Sequence, residues 1–420
     1  MAEPAFDPAA GVRVGSSIEL DVGPVAHGGH CVARHLGQVV FVRHAIPGER
    51  VVARVTDGGE GSRFLRADAV EVRLPSPDRV EVRCGVAGPG GCGGCDFQHV
   101  TVARQRQLKA DVVSEQFRRL AGLTVDVPVE AVAGDVGGLG WRTRAHFAVD
   151  ADGRAGLRRH RSHEVVPIES CPISHPLIEA TGVLRRTWPG VADLRVAVAP
   201  ASGRSTVLVD GEPDPGRAGS STRLVERAAG RDWRVSGDGF WQVHPGAADV
   251  LVETAIQALR PSEGEHLLDL YAGVGLFAGA FAPSLGAAGR VDAVEADPGA
   301  LRDARRNLHD LATVRLVEAP VRGWLRTKAV TRADLVLLDP PRAGAGAAVV
   351  SRIAELSPRA ICYVACDPAA LARDVATLAG LGWRLEGLRA FDLFPMTHHV
   401  ECVATLVPAA SSSCARQEFR

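Results

Sequence analysis

The chain has 420 residues, and its 48 Lys and Arg against 49 Asp and Glu leave a formal net charge of −1. With 46% apolar and 23% charged residues it is too apolar for a disordered chain and too long for one ordinary core, so a globular protein of two or three domains is expected. Without a run of about 18 apolar residues or a basic-then-apolar leader, neither a membrane span nor export is expected, and the protein is read as cytoplasmic.

Residues 8–73 carry short Val-rich runs (Ile18–Val22, Gln38–Val42, Arg50–Val55) separated by Gly, Pro and Asp. That pattern predicts a small OB-like β-barrel, a common platform for single-stranded nucleic acid. Pro75 and Pro77 end it, and residues 74–238 read as a mixed α+β domain. This domain opens on a Gly-rich cysteine loop, continues as a helix from about Thr101 to Ala121, and then forms a hairpin turning at Ala151–Arg154. Around the hairpin, Arg142, Arg144, Arg154, Arg158, Arg159 and Arg161 stand against Asp150, Asp152 and Glu164. A near-neutral chain needs a local footprint to hold nucleic acid, and this stretch is a candidate, although taken alone it reads first as a solvated strand pair with a positive face.

Nine cysteines in a chain without an export signal are not expected to form disulfides. Cys84, Cys92 and Cys95 make a C-x7-C-x2-C loop, and Cys171 follows far downstream before Pro172-Ile173. Four thiolates suit zinc or an iron–sulfur cluster, and the spacing alone leaves both open.

From 239 to 410, strand-like runs (Glu265–Leu270, Arg290–Glu295, Thr313–Glu318, Ala333–Leu338, Ala360–Ala365) alternate with helical stretches such as Pro298–Leu311 and Pro368–Gly380. The alternation predicts a Rossmann-like α/β domain with a mostly parallel sheet. Residues 411–420 are read as a flexible tail.

The run Asp269-Leu270-Tyr271-Ala272-Gly273-Val274-Gly275 takes an apolar strand into a glycine turn and a helix. About twenty residues on, a second strand ends at Glu295, where an acid can bind ribose hydroxyls. The third glycine of a diphosphate fingerprint is missing, and an acidic, open turn suits S-adenosylmethionine better. Asp339 stands at a strand tip before Pro340-Pro341. Cys366 ends another strand ahead of a helix N-terminus, a placement that lowers a thiol pKa. Glu401 precedes the last apolar strand. Taken singly, each has a bland reading as cap, buried filler or solvated charge.

In order, Phe240-Trp241-Gln242-Val243, the Asp269–Gly275 loop, Asp339-Pro340-Pro341-Arg342, Cys366–Asp374 and His398-His399-Val400-Glu401-Cys402-Val403 resemble the RNA uracil-C5 methyltransferases over residues 12–407. The resemblance implies an N-terminal TRAM domain that binds RNA, S-adenosylmethionine as methyl donor, Cys366 as nucleophile and Glu401 as base. It further implies that Gln242, Tyr271, Glu295 and Asp339 line the cofactor and base pocket, with Gly273 and Gly275 in the cofactor turn. At Cys84, Cys92, Cys95 and Cys171 it implies a structural [4Fe-4S] cluster, although the first gap exceeds the family's usual five residues. Ribosomal RNA (the 23S type) is the expected substrate, with no obligate protein partner. The alternatives are methylation of a uridine in transfer RNA, transfer to a nucleobase amino nitrogen, and a non-catalytic RNA-binding protein.

Overall fold

The computed structural model describes residues 11–59, 61–216 and 222–409. The expected tail, 411–420, lies outside the described residues. The chain separates into two compact units: one takes the residues up to Gln116 with Thr124–Ala248 and Ala390–Glu401, the other Phe117–Leu123, Asp249–Arg389 and the residues from Cys402.

The first unit begins with six strands: β1 (Ser17–Asp21), β2 (Val25–Ala26), β3 (His30–His35), β4 (Gln38–Arg43), β5 (Arg50–Asp57) and β6 (Phe64–Leu74). They pair in the order β1-β5-β6-β4-β3-β2, and β1 also packs on β3, so the sheet curls into the expected barrel. Alternate residues of β1 and β5 point inward, the period of a half-buried strand. Ile18, Leu20, Val40, Val51 and Leu65 form its core, which continues without a break into Phe97, Val100, Leu108 and Val112. The last two lie on α1 (Val102–Gln116), which runs into one π-helical turn, Phe117–Ala121.

After β7 (Val129–Glu130) come β8 (Arg144–Val149), β9 (Ala155–Arg158), β10 (Val165–Pro167), α2 (Pro176–Glu179), β11 (Asp193–Ala199), β12 (Arg204–Val209) and β13 (Glu212–Pro213). These strands form a second sheet in the order β10-β9-β8-β11-β12-β13. The β8–β9 turn is where the sequence puts it, because the Asp150 carboxylate accepts from the Asp152 and Arg154 amides at 3.0 and 2.8 Å. A separate hairpin follows, β14 (Arg223–Ala228) with β15 (Arg231–Ser236).

The helix α3 (Ala247–Leu259) leads into the second unit. There β16 (His266–Leu270), α4 (Leu276–Leu285), β17 (Arg290–Glu295), α5 (Pro298–Asn307), β18 (Val314–Glu318), α6 (Val321–Arg326), β19 (Leu335–Leu338), α7 (Ala347–Glu355), β20 (Ala360–Ala365) and α8 (Pro368–Gly380) alternate as predicted. The sheet closes with β21 (Trp383–Phe391) and β22 (Glu401–Pro408). Its order is β18-β17-β16-β19-β20-β22-β21; the first five strands are parallel and β22 runs antiparallel to β20. Strands β19 and β20 are buried throughout, so their sequences read as unbroken apolar runs. The order reverses between β16 and β19, the switch point at which open α/β sheets bind ligands. No helix among the described residues is long and apolar enough to cross a membrane.

Candidate active site

In the second unit the C-terminal ends of β16, β17, β19 and β20 carry Tyr271, Gly273, Gly275, Glu295, Asp339 and Cys366. Tyr271 and Gly273 both adopt positive φ, +65° and +56°, which bends the chain sharply off β16. Gly275, at φ +90°, is fixed twice, since a Cβ there would stand 2.5 Å from Leu308 Cδ1. The Glu295 carboxylate gathers this turn: it accepts from Gly273 N–H at 2.8 Å and from Ala296 and Asp297 N–H at 2.6 and 2.7 Å.

Two further acids share the switch point. Asp269 is fully buried within β16. One of its oxygens accepts from Ala278 N–H at 2.8 Å, while Oδ1 is buried with no hydrogen-bond partner. Burial first, and then the charges of Asp339 and Glu295, push its carboxyl up to about 7. Desolvation raises Asp339 in the same direction. A strand end that holds two buried carboxyl groups at this cost, with Glu295 on the neighbouring strand, suits a cationic ligand. Asp269 has no role among the motif residues read from the sequence, although a lone acid in the run Leu267-Leu268-Asp269-Leu270 is signal enough.

Cys366 is half-buried at the end of β20. The next residue, Asp367, caps α8 by accepting from Ala370 N–H at 2.7 Å, and Pro368 starts the helix. The loop after Asp339-Pro340-Pro341 is held from behind. Asp374 Oδ2 accepts from Tyr363 Oη at 2.7 Å and from the Ala345 and Gly346 amides at 2.9 and 3.0 Å. Tyr363 and Asp374 are positioning groups that the sequence left unassigned.

Glu401 is buried and opens β22. Its successor Cys402 is paired in register with Ala365, the residue before Cys366. The segment leading to Glu401 is fastened within the first unit. Lys109 Nζ donates to Asp392 Oδ1 at 2.5 Å and to Phe394 O at 3.0 Å; Gln105 Oε1 accepts from Met396 N–H at 2.8 Å. The Asp96 carboxylate meets His398 Nδ1 at 2.6 Å and accepts from its backbone N–H at 3.1 Å, and Asp96 and Phe97 N–H both donate to Met396 O. Despite its burial, Asp96 is held down to about 2 by His398 and Arg43. Gln242 lies in the first unit beside Val243, whose carbonyl accepts from Thr143 N–H and Oγ1 at 2.9 Å.

Cys84, Cys92, Cys95 and Cys171 line one small cavity of the first unit. Gly94 N–H donates to Cys92 Sγ at 3.3 Å and Gln98 Nε2 to Cys95 Sγ at 3.5 Å. Burial pushes the Cys95 thiol up to about 12 and raises Cys92 as well. Among the described residues, however, no three His, Cys, Asp or Glu are grouped as ligands of a metal ion. The thiols therefore share a cavity without forming a coordination shell, and the expected [4Fe-4S] site is not itself seen.

The basic stretch divides. Arg144 is buried against Glu226 at 3.1 Å, Arg154 pairs with Asp150 and Asp152, and Arg159 with Glu164. Three of its six arginines are thus paired with carboxylates close by.

Comparison with known proteins agrees with this layout. Residues 225–408 match the tRNA (uracil-5-)-methyltransferase family and residues 11–70 the TRAM domain. An uncharacterized RNA methyltransferase of Streptomyces coelicolor is 51% identical over 98% of this chain and 96% of its own length. One of Bifidobacterium longum is 37% identical over 92% and 95%. The fold is that of the Pyrococcus abyssi tRNA (uracil-54, C5)-methyltransferase crystallised with S-adenosyl-L-homocysteine, with a TM-score of 0.68 and 24% identity over 92% of this chain and 99% of that one. The chain belongs to the uracil-5 RNA methyltransferase family, with a TRAM domain at its N-terminal end.

Proposed function

We propose that this enzyme methylates carbon 5 of one uridine in RNA, with S-adenosylmethionine as donor, Cys366 as nucleophile and Glu401 as base. The observation that carries the reading is the acidic switch point beside Cys366. Asp269 Oδ1 is buried and unpaired, and its carboxyl sits near neutrality among two more acids. These residues fit a ligand with a sulfonium and an ammonium group, Glu295 being the acid for its ribose hydroxyls.

Carbon 5 of uracil is too poor a nucleophile to react unaided. The Cys366 thiolate adds to carbon 6, which saturates the 5,6 double bond and leaves electron density on carbon 5. S-Adenosylmethionine supplies the electrophilic methyl group for that carbon. The Glu401 carboxylate then takes the carbon 5 proton; the C–H electron pair re-forms the double bond and the thiolate departs. Since carbon 6 is inaccessible within a stack, the uridine is flipped out or unpaired.

Cys84, Cys92, Cys95 and Cys171 fit a [4Fe-4S] cluster by sharing one cavity with N–H donors to two of their sulfurs. Its part would be structural, ordering the loop that carries Asp96. A barrel together with four cysteines favours ribosomal RNA, as the resemblance implies, and transfer RNA is the second reading because the matching family model is described by that substrate. Mapping 5-methyluridine in both RNAs of a deletion strain decides between them.

Incubation with 5-fluorouridine RNA tests the mechanism, because fluorine cannot leave as a proton does. Wild-type protein should form a denaturation-resistant complex and Cys366→Ala none. With ordinary RNA, Glu401→Gln should still add and transfer the methyl group, then stall as a methylated covalent adduct with turnover down by about 10²–10⁴. A Cys366→Ala adduct, or ordinary turnover by folded Glu401→Gln, would remove the residue concerned from its role.

A further inference from the structure

Within the first unit, between the barrel and the turn after β9, lies a cleft of about 540 Å³. Five guanidinium groups line it: Arg43 from β4, Arg54 from β5, Arg66 from β6, and Arg159 and Arg161 from the turn. Only Asp57 and Asp68 stand against them in the lining. Asp57 pairs with Arg66 at 3.5 Å; outside the lining, Asp96 meets Arg43 at 3.4 Å and Glu164 meets Arg159 at 2.8 Å. Arg54 and Arg161 are exposed and form no ion pair among the described residues. The excess of positive charge is therefore real after pairing.

Two donors go unused within the protein. Arg43 Nε and Arg159 Nε have no hydrogen-bond partner, whereas Arg66 Nε lies 3.5 Å from Asp57 Oδ2. A guanidinium N–H left unpaired is costly, so a ligand that draws these side chains toward its own acceptors recovers that cost. An aromatic wall accompanies them. Arg66 lies over Phe41 and Phe64, 5.7 and 5.1 Å from the ring centroids, and His30 meets Phe41 edge-on at 4.7 Å. Planar groups beside guanidinium groups are how proteins hold an unstacked base and its phosphate.

The remaining wall explains the seven-residue gap between Cys84 and Cys92. Its Pro89, Gly90 and Gly91 line the cleft, and the Gly90 backbone hydrogen-bonds Asp68. Gly93 N–H donates to Arg158 O at 3.0 Å, and a Cβ on Gly93 would stand 2.6 Å from His160 N. The cysteine loop is thus stapled to the arginine turn and shapes the cleft with it.

We propose that this cleft holds an unpaired nucleotide of the substrate RNA, its phosphates on the arginines and its base against the Phe41 wall. None of its lining residues is among those assigned to the reaction. The proposal rests on RNA being the substrate and adds a second contact point outside the target uridine.

Anisotropy of a labelled single-stranded oligoribonucleotide, titrated with full-length protein at several salt concentrations and without cofactor, tests it. Arg54→Ala and Arg161→Ala should each weaken binding by about tenfold and lower the salt slope by about one, as for a lost phosphate contact. Phe41→Leu should weaken binding with the slope unchanged. Cofactor affinity by calorimetry should stay at the wild-type value in all three. If wild-type protein binds and the Arg54→Ala/Arg161→Ala double variant binds with equal affinity and slope, the cleft is not the site. Equal binding of the same sequence as a duplex would overturn the unpaired nucleotide. Wild-type protein that binds no RNA would sink the substrate reading along with the cleft.

Discussion

Asp269 sits in the middle of an apolar strand with its carboxyl near 7 where 3.8 is ordinary. The proton balance follows from the sign of that shift. Between about pH 4 and 7 the folded protein holds a proton there that the unfolded chain has released, so the cofactor-free protein loses stability as pH rises through that window. A bound cation favours the ionised carboxyl and expels the proton. Cofactor affinity should therefore climb with pH up to about 7 and then level. Calorimetry near pH 6 should show proton release, read from the dependence of the heat on the buffer's ionisation enthalpy. Heats independent of buffer would mean that the acid is already charged and does not face the sulfonium.

Two elements, α1 and the cysteine loop, hold the segment that ends in Glu401. The Lys109–Asp392 pair is all but fully buried, with side chains 1% and 0% exposed. Lys109→Met leaves Asp392 charged and uncompensated, and should cost about 3–5 kcal/mol of stability by chemical denaturation. If Glu401 is the base as proposed, turnover should fall with cofactor affinity unchanged, because the displaced segment ends in that residue and does not include the glycine turn. Lys109→Met/Asp392→Leu should recover most of the stability; if it does not, the pair's hydrogen bonds matter more than its charges. The cysteine loop makes its own demand. Buried thiols raised as far as Cys95 ionise only when a metal takes them. Protein purified without oxygen should be brown and carry about four irons with matching sulfide; one zinc without sulfide would overturn the cluster.

Across the whole molecule, legibility followed the local signal. The strands Arg290–Glu295 and Ala360–Ala365 and the helix Pro368–Gly380 stand where the sequence puts them; the unbroken apolar run of Ala360–Ala365 and the Asp-Pro cap of the helix need no tertiary help. The helix expected over 298–311 stops at Asn307, whose amide donates to Val274 O while Leu308 packs over Gly275. Strand β21 alternates only over Trp383–Glu386, and its period is lost from Gly387 onward, too short a signal to set it apart. Cys366, Glu401 and the glycine turn were legible as motifs. The Asp96–His398 and Lys109–Asp392 contacts were not, because they join residues 302 and 283 positions apart and neither partner has a local signature.

That separation has a consequence during synthesis. The first unit is not finished when its first 248 residues have emerged, because Ala390–Glu401 belongs to it. At about 5–20 residues per second, Asp392 leaves the ribosome roughly 15–60 s after Lys109. For that interval the ammonium group of α1 has no counter-charge from Asp392, and Asp96 lacks His398. The nascent N-terminal part must wait in an incompletely packed state, open to chaperones and proteases, until Ala390–Glu401 threads back to complete it.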